Sequence, residues 1–440
     1  MRTLLVLAAL TVSAAAQGFP SGMQSDIDPQ LWNEIEFIKT IDHHSHIPKF
    51  VAPGEPEDDE FDALPVPAQV LPDLPVGWRP ELNPLYLEAD KVLFNYPFDD
   101  YSPEHMKRLN ELKAAARNGY REHYQEHILD KLNTQILFAN RVAMGPGLTS
   151  DRFRWVPFDD ALMYPLNNDA LQKRSPVDAF YWPRENALLA RYTRESGVTS
   201  TPKTLADYLA RVVTPTLERQ RHAGAVAIKF EMAYLRSLQS EPVARADADA
   251  IYAKYAGAGA PPDPDYTRLQ DFLLRYIAKD AGRLHMPVHF HTGAGGTYNF
   301  DQKGASALNL NSLVNDPAMS ETTFVMLHGN VPNPQDAAYM MTKKNTYADC
   351  SEMDQFLPPR AMASILRYWM EWVPEKVMFA SDLSPDMWEE QGYVASRTVR
   401  LGLAIALTGM MRDGEIGRPR ANQLAHMVLH DNAAKLYGLP

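Results

Sequence analysis

Eight short β-rich runs are spread along the chain, and helix-like stretches separate them. Several runs end in a polar or small residue. Strands that alternate with helices in this way are typical of βα units on a parallel sheet. Eight units predict an α/β fold, specifically a (β/α)8 TIM barrel. The predicted strands are residues 37–43, 135–142, 152–158, 225–230, 287–291, 323–328, 346–349 and 376–381.

The interval after the first predicted strand, about residues 51–132, is longer than a barrel needs. Its first part is rich in proline and contains the acidic run 55–62. This composition favours an irregular excursion, with helices only from about residue 102 onward. The acidic run has no fixed ligand spacing, so we expect a solvated loop there rather than a cation site.

A second long interval, residues 164–203, precedes a helix that starts near Thr204 and leads into the fourth strand. Such insertions decorate the loop face of a barrel, where they can cover the site. Because barrels routinely exceed the usual domain size, 440 residues do not require two domains. We expect one domain over residues 17–440, with insertions after strands 1 and 3.

Residues 1–16 have the pattern of a secretory signal peptide. Arg2 supplies the positive charge, residues 4–12 the apolar core, and residues 14–16 a small-residue cleavage site before Gln17. The alternative is an uncleaved anchor, but the apolar run is well short of the ~20 residues that span a bilayer. We expect a periplasmic or secreted protein with no membrane attachment after cleavage.

Composition narrows the class of partner. With 55 acidic against 43 basic side chains, the net charge is −12, and no dense basic block is present. This charge repels a polyphosphate, so nucleic acid is not an expected partner. Cys350 is the single cysteine, which excludes an internal disulfide and fits a bacterial periplasm. We expect a small-molecule substrate, and a homo-oligomer stays open.

The segment Ile41–His46 contains two histidines separated by one residue. Alternate side chains of a strand share a face, so His44 and His46 can meet one cation as two imidazole ligands. An H-x-H pair also occurs by chance. Its place at the end of an apolar run favours the metal interpretation.

Three further predicted strands end in a residue that can do chemistry: His291, His328 and Asp382. Each taken singly fits a structural role. Together they are more informative, because barrel enzymes place their chemistry at the carboxyl ends of the strands. A carboxylate buried there is costly without a cation. His289 lies one pleat deeper than His291 and is a neighbour on the same face.

The order of these residues resembles the amidohydrolase superfamily, in particular its amidohydrolase-related branch. That order is H-x-H on the first strand, His on the fifth, His on the sixth and Asp on the eighth. Residues 379–382 with Pro385, and the tail 430–438, are also similar to that branch. The resemblance covers most of the mature chain but not the two insertions.

The resemblance implies a metal site. His44, His46, His291 and Asp382 would be the metal ligands, and His328 would be a proton donor or a ligand of a second ion. Zinc is the preferred ion because nitrogen and oxygen donors suit it, and Mn²⁺ or Fe²⁺ would also fit. One ion is expected, and a second stays open.

Lys229 falls where binuclear relatives carry a carboxylated, metal-bridging lysine, and an ion-paired lysine is the alternative. The segment 234–238 resembles relatives near the amino-terminal domain of glutamine-synthetase-like fungal proteins, in which this lysine need not bridge metals. Arg236 could bind a substrate carboxylate through two parallel hydrogen bonds from its planar guanidinium group, or form an ordinary salt bridge. We take Arg236, Tyr234 and His289 as substrate-binding candidates.

The expected reaction is hydrolysis of an amide, ester or lactone in a small, carboxylate-bearing substrate by metal-activated water. Asp382 would accept the proton of the water, and His328 would polarise the carbonyl or protonate the leaving group. Aminocarboxymuconate-semialdehyde and resorcylate decarboxylases resemble the same site, so decarboxylation is an alternative, and a sugar-acid isomerase is another. The alternative of another class is a secreted binding protein without catalysis.

Overall fold

The computed structural model describes residues 21–52, 54–66, 71, 73 and 75–440. Residues 1–16, the predicted signal peptide, lie outside the described residues. Within the described part of the chain are eight strands, as the β-rich runs predict, and helices separate them everywhere except between the second and third. The strands are β1 (Thr40–Ser45), β2 (Thr134–Asn140), β3 (Phe153–Val156), β4 (Ile228–Phe230), β5 (Val288–His291), β6 (Phe324–Leu327), β7 (Thr346–Asp349) and β8 (Val377–Met378).

All paired strands run parallel. β1, β2 and β3 form one sheet, and β4 to β8 form another in sequence order. An isolated parallel bridge joins Phe158, beyond β3, to Lys229 in β4. Beyond β8, the backbone N–H of Asp382 donates to the His44 carbonyl oxygen in β1 at 3.0 Å. The predicted α/β class with parallel strands is confirmed.

The bounds of the strands differ from the predicted runs by up to three residues, and β1 and β8 show why. β1 begins at Thr40 rather than at residue 37, because Phe37 is 75% exposed and continuous burial starts only at Thr40. β8 covers Val377–Met378 rather than residues 376–381. The next backbone N–H, that of Phe379, donates to the carbonyl oxygen of Val428 at 2.9 Å. This N–H is therefore not paired with a neighbouring strand.

The first long interval contains a helix, α2, where an irregular chain was expected. The Asn83 side chain caps α2 by accepting a hydrogen bond from the Leu85 N–H, Pro84 occupies the first turn, and Leu93 and Phe94 are among its buried residues. The expectation of helices only from residue 102 is therefore wrong. The α-helices are α1 (Pro29–Ile35), α2 (Pro84–Phe94), α3 (Pro103–Tyr120), α4 (Tyr124–Lys131), α5 (Asp169–Gln172), α6 (Pro176–Glu195), α7 (Leu205–Tyr208), α8 (Thr214–His222), α9 (Arg245–Tyr255), α10 (Asp263–Arg283), α11 (Asn311–Val314), α12 (Pro334–Met341), α13 (Met353–Phe356), α14 (Pro359–Trp372), α15 (Trp388–Arg412), α16 (Arg418–His426) and α17 (Asn432–Tyr437).

Strands of both sheets contribute to one apolar cluster. Ile41, Phe138 and Val156 from the first sheet pack with Val325 and Met378 from the second. Parallel strands are normally covered on both faces, and the strands here are almost continuously buried. Among the described helices, none combines the length and the apolar character that crossing a bilayer requires.

Candidate metal centre

Two histidines at the end of β1 meet an aspartate that follows β8. His44 Nε2 lies 3.0 Å and His46 Nε2 lies 3.5 Å from Asp382 Oδ1. Asp382 has a φ of 52°, a conformation that non-glycine residues adopt rarely and often at functional sites. The hydrogen bond from its backbone N–H to the His44 carbonyl oxygen fixes the carboxylate opposite the imidazoles.

His328 and His291 lie beside this group. His328 Nδ1 is 3.8 Å from Asp382 Oδ2, and the donor atoms of His44, His328 and Asp382 lie within 4.8 Å of one another. The His291 ring centroid is 4.5 Å from that of His328, and His291 Nε2 donates to the Ala294 carbonyl oxygen at 2.7 Å. The structure therefore brings His44, His46, His328 and Asp382 together and places His291 next to His328.

Three of these rings have a further polar side chain next to Nδ1. The Asn140 amide is 2.6 Å from His44 Nδ1, Asp62 Oδ2 is 3.5 Å from His46 Nδ1, and Ser351 Oγ is 2.9 Å from His328 Nδ1. Partners of this kind fix the orientation of a ligating ring and its tautomer. None of the three partners belongs to the residues that the sequence predicts for the site.

Lys229 and Tyr234 also reach the group. Lys229 is fully buried, and its Nζ lies 3.5 Å from His44 Nε2 and 4.0 Å from Glu231 Oε1. The Tyr234 hydroxyl accepts a hydrogen bond from the Gly296 N–H at 3.2 Å, and its ring centroid is 4.8 Å from that of His291. Lys229 is thus placed among the imidazoles, and Tyr234 lines the cavity beside them.

Two predicted substrate-binding residues do not line the cavity. Arg236 donates to Asp271 Oδ1 at 2.6 Å and to Gln270 Oε1 at 3.1 Å, so the salt-bridge alternative is the one observed. His289 is fully buried, and its Nε2 lies 2.7 Å from the Tyr437 hydroxyl. In this structure Arg236 and His289 therefore contact other protein groups rather than the cavity.

Burial keeps the imidazoles neutral. It lowers the pKa of His44 and of His328 well below the usual value, and the Lys229 ammonium adds to the effect on His44. Burial also raises the pKa of the Asp382 carboxyl well above its usual range. Neutral imidazoles offer lone pairs to a cation, and a buried carboxylate is stabilised by one. The donor set therefore fits a divalent metal ion.

Three carboxylates near the site are absent from the sequence-predicted set: Asp62, Glu231 and Glu352. Glu352 Oε2 lies 3.9 Å from His328 Nδ1, and the other two approach His46 and Lys229 as described above. Glu231 had a usable signal, because it follows Lys229 by two residues and strand alternation puts both on one face. Asp62 had none, since it lies in an insertion without periodicity.

The acidic run 55–62 is solvated only in part, because two of its carboxylates are paired with arginines. Asp58 accepts two hydrogen bonds from the fully buried Arg141 guanidinium, at 2.8 Å each. Glu60 accepts another from Arg191 at 2.6 Å. The expectation of a solvated loop is therefore wrong for Asp58 and Glu60, whereas Glu55, Glu57 and Asp59 are exposed as expected.

A cavity of about 1130 Å³ lies over these side chains. His291, His328 and Asp382 line it on the strand side. Residues of the first insertion, including Trp78 and part of α3, line it on the other side, together with Trp388 after β8. The cavity can accept a small organic molecule next to the imidazoles.

The chain belongs to the amidohydrolase family. The family model described as Amidohydrolase matches residues 198–439, more than half of the chain, and the resemblance seen in the sequence is thereby confirmed. Together with the donor set, this defines the class as a metal-dependent enzyme. No curated protein matches the sequence.

Solved structures with the same fold include two isomerases and one hydrolase. Glucuronate isomerase from Caulobacter crescentus is 13% identical, with a TM-score of 0.63 and coverage of 93% of both chains. Uronate isomerase from Thermotoga maritima is 14% identical, with a TM-score of 0.59, covering 95% of this chain and 100% of its own. A protein of Lactobacillus casei assigned to the metal-dependent hydrolases is 17% identical, with a TM-score of 0.59 and coverage of 93% and 97%. At these identities the likeness shows the fold alone.

Proposed function

We propose that the protein is a hydrolase that uses metal-activated water to cleave a C–N or C–O bond in a small molecule. The observation that carries this proposal is the convergence of His44, His46 and Asp382, with His328 beside them. Membership of a metal-dependent family supports it. The bond cleaved would be of the amide, ester or lactone type.

We further propose that the two sheets close into one (β/α)8 barrel with insertions after strands 1 and 3. The bridge from Phe158 to Lys229 supports closure on one side. On the other side, the His46 N–H donates to the Leu383 carbonyl oxygen at 2.9 Å, beside the bond between Asp382 and β1. Such a barrel gathers its catalytic residues at the carboxyl ends of the strands.

His44, His46, His291 and Asp382 are the proposed ligands of one ion. Ligand bonds of about 2.1 Å in a tetrahedron put neighbouring donor atoms about 3.4 Å apart. The separations of 3.0 and 3.5 Å from Asp382 Oδ1 to the two Nε2 atoms are close to that value. His291 donates from Nε2 to a backbone carbonyl, which leaves Nδ1 for the ion. Zinc suits this donor set best, and manganese or iron are the alternatives.

These residues would hold a divalent ion, which would supply the Lewis acidity that makes hydroxide available at neutral pH. Asp382 would accept the proton that the attacking water releases. His328, 3.8 Å from Asp382 Oδ2, polarises the carbonyl or donates a proton to the leaving group. Ser351 orients the His328 ring through Nδ1.

The substrate need not bear a carboxylate. Arg236, the residue expected to bind one, is paired with Asp271 away from the cavity. Lys113 and Arg117, which line the outer wall, are paired with Glu390 and Glu389. We therefore propose a small organic substrate that the cavity holds through its aromatic walls and through the groups around the ion.

We also propose export to the periplasm or the cell exterior, which rests on the pattern of residues 1–16. Amino-terminal sequencing of the protein from a periplasmic fraction tests this. A mature chain that begins near Gln17 supports export, and a chain that keeps Met1 contradicts it.

Isotope labelling of the metal-restored enzyme tests the reaction. The protein is stripped with a chelator, reloaded separately with Zn²⁺, Mn²⁺ or Fe²⁺, and assayed in ¹⁸O-water against a panel of amides, esters, lactones, aromatic carboxylic acids and uronic acids. A hydrolase places ¹⁸O in the acid product, a decarboxylase releases carbon dioxide, and an isomerase leaves the mass unchanged. Full activity after complete metal removal contradicts the proposal.

A further inference from the structure

A second group of donor atoms lies beside the proposed ion site. His46, Asp62 and Glu231 each offer one donor atom, and these atoms lie within 4.8 Å of one another. His46 Nδ1 is 3.5 Å from Asp62 Oδ2, close to the edge of about 3.4 Å in a tetrahedral metal site. The group combines one imidazole with two carboxylates, which is a common ligand set for divalent ions.

In this group Glu231 Oε2 has no hydrogen-bond partner, and His46 Nδ1 has Asp62 Oδ2 near it only at 3.5 Å, too far for a good hydrogen bond. The Glu231 side chain is only 4% exposed, so bulk water does not solvate its carboxylate. A buried carboxylate that faces a second carboxylate is destabilised both by desolvation and by repulsion. One cation between the three side chains would remove both costs.

A single lysine, Lys229, lies near several acidic side chains. The Lys229 ammonium acts at once on Glu231, Glu352 and Asp382, and it also lies 3.5 Å from His44 Nε2. Its distance to Glu231 Oε1 is 4.0 Å, at the limit of an ion pair. One ammonium group therefore cannot balance all three carboxylates when they are ionised.

We propose that His46, Asp62 and Glu231 bind a second divalent cation of the zinc or manganese class. This inference goes beyond the proposed function but shares His46 with it. The His46 ring faces Asp382 with Nε2 and Asp62 with Nδ1, so a different nitrogen serves each ion. When both ions are bound the ring is a bridging imidazolate, and its proton passes to solvent.

The first insertion supplies Asp62 to this site. The Leu64 N–H donates to Asp62 Oδ1 at 3.0 Å, which leaves Oδ2 facing His46. Four residues earlier, the Asp58 pair with Arg141 holds the same run against β2. The second ion would thus link the insertion to the strand ends through His46.

Metal content of the full-length protein tests the inference. Each variant is saturated with Zn²⁺ or Mn²⁺, separated from free ion by gel filtration and measured by mass spectrometry. We expect about two ions per chain in the wild type, and about one in Glu231→Gln and in Asp62→Asn. Asp59→Asn is the matched control, because Asp59 is exposed in the same acidic run, and it should keep both ions.

One ion in the saturated wild type overturns the inference, because Lys229 or a shared proton would then suffice. Two ions in both Glu231→Gln and Asp62→Asn also overturn it. Thermal unfolding checks that each variant is folded. If Glu231→Gln does not fold, the metal content of Asp62→Asn alone decides whether the second site exists. Asp382→Asn separates the two proposals, because it should lower turnover while the ion near Asp62 and Glu231 stays bound: near-normal turnover dismisses the hydrolytic site and leaves the second site standing.

Discussion

The strand ends and the first insertion face the same cavity, but different forces position them. At the strand ends, backbone hydrogen bonds such as that from Asp382 to His44 hold the functional side chains. In the insertion, Asp62 is held by a short turn and by ion pairs such as Asp58 with Arg141. A backbone ladder survives the change of one side chain, whereas the position of Asp62 also depends on the pair of Asp58 with Arg141, which a single substitution removes.

Asp382→Asn should give the largest effect, since it removes the proton acceptor from the strand ends. We expect kcat/KM to fall by a factor of about 10²–10⁴ in metal-loaded enzyme, because general base catalysis is lost. The backbone hydrogen bond to β1 stays, so stability should change little. Steady-state kinetics and metal analysis measure this, with Asp59→Asn as the control. Near-normal turnover would dismiss the assignment.

Arg141→Met should give the largest effect on the insertion. Arg141 is fully buried, and its loss takes both guanidinium hydrogen bonds from the Asp58 carboxylate and leaves the Lys49 ammonium, 3.8 Å away, as its counterion. We expect a loss of about 3–5 kcal/mol in the free energy of unfolding, measured with denaturant. The double variant Arg141→Met with Asp58→Asn should recover part of the loss. An unchanged midpoint for the single variant would mean that other contacts hold the insertion.

The pair of Asp58 with Arg141 also predicts a smaller effect, a dependence of stability on pH. Burial raises the pKa of Asp58, but the hydrogen bonds and charge of Arg141 outweigh it and hold the pKa below its usual value. The stability that the pair contributes is therefore present above the unfolded carboxyl pKa of about 4 and is lost as the pH falls below it. The free energies of unfolding of the wild type and of the double variant should therefore converge below about pH 4. A difference that grows toward low pH would refute this sign.

Arg117→Gln should loosen only the outer wall of the cavity. Arg117 in α3 lies 2.9 Å from the buried carboxylate of Glu389, which keeps a hydrogen bond from the Tyr124 hydroxyl at 2.7 Å. We expect a local loss of about 1–2 kcal/mol, seen as faster hydrogen exchange in α3 with strand peptides unchanged. Arg108→Gln is the control, because its pair with Glu111 is about half exposed. Equal exchange in both variants would contradict the role of Glu389.

Arg236→Gln should have the smallest effect on catalysis. Because Arg236 is paired with Asp271 rather than directed at the cavity, KM should change by less than about twofold, with about 1 kcal/mol lost in stability. Steady-state kinetics beside thermal unfolding separates the two effects. A KM raised tenfold or more would restore the substrate-binding role that the sequence suggests.

These differences explain how much the sequence could predict. Strand alternation predicts that His44 and His46 share a face, and the apolar run before Asp382 predicts its place at a strand end. Both patterns involve only residues that are near one another in the sequence. The pairing of Asp58 with Arg141 joins residues 83 positions apart, and no local pattern encodes it. Helix α2 did carry a signal, the cap Asn83 before a proline, but the proline content around it favoured an irregular chain.

The charges that fasten the insertion limit how this scaffold can be engineered. Arg141, Glu389 and Glu390 are all buried, and their counterions Asp58, Arg117 and Lys113 lie in residues 51–132. A shortened protein without that segment would leave the three charged side chains without their counterions. A minimal barrel built from this chain therefore requires apolar replacements at those three positions as well as the deletion.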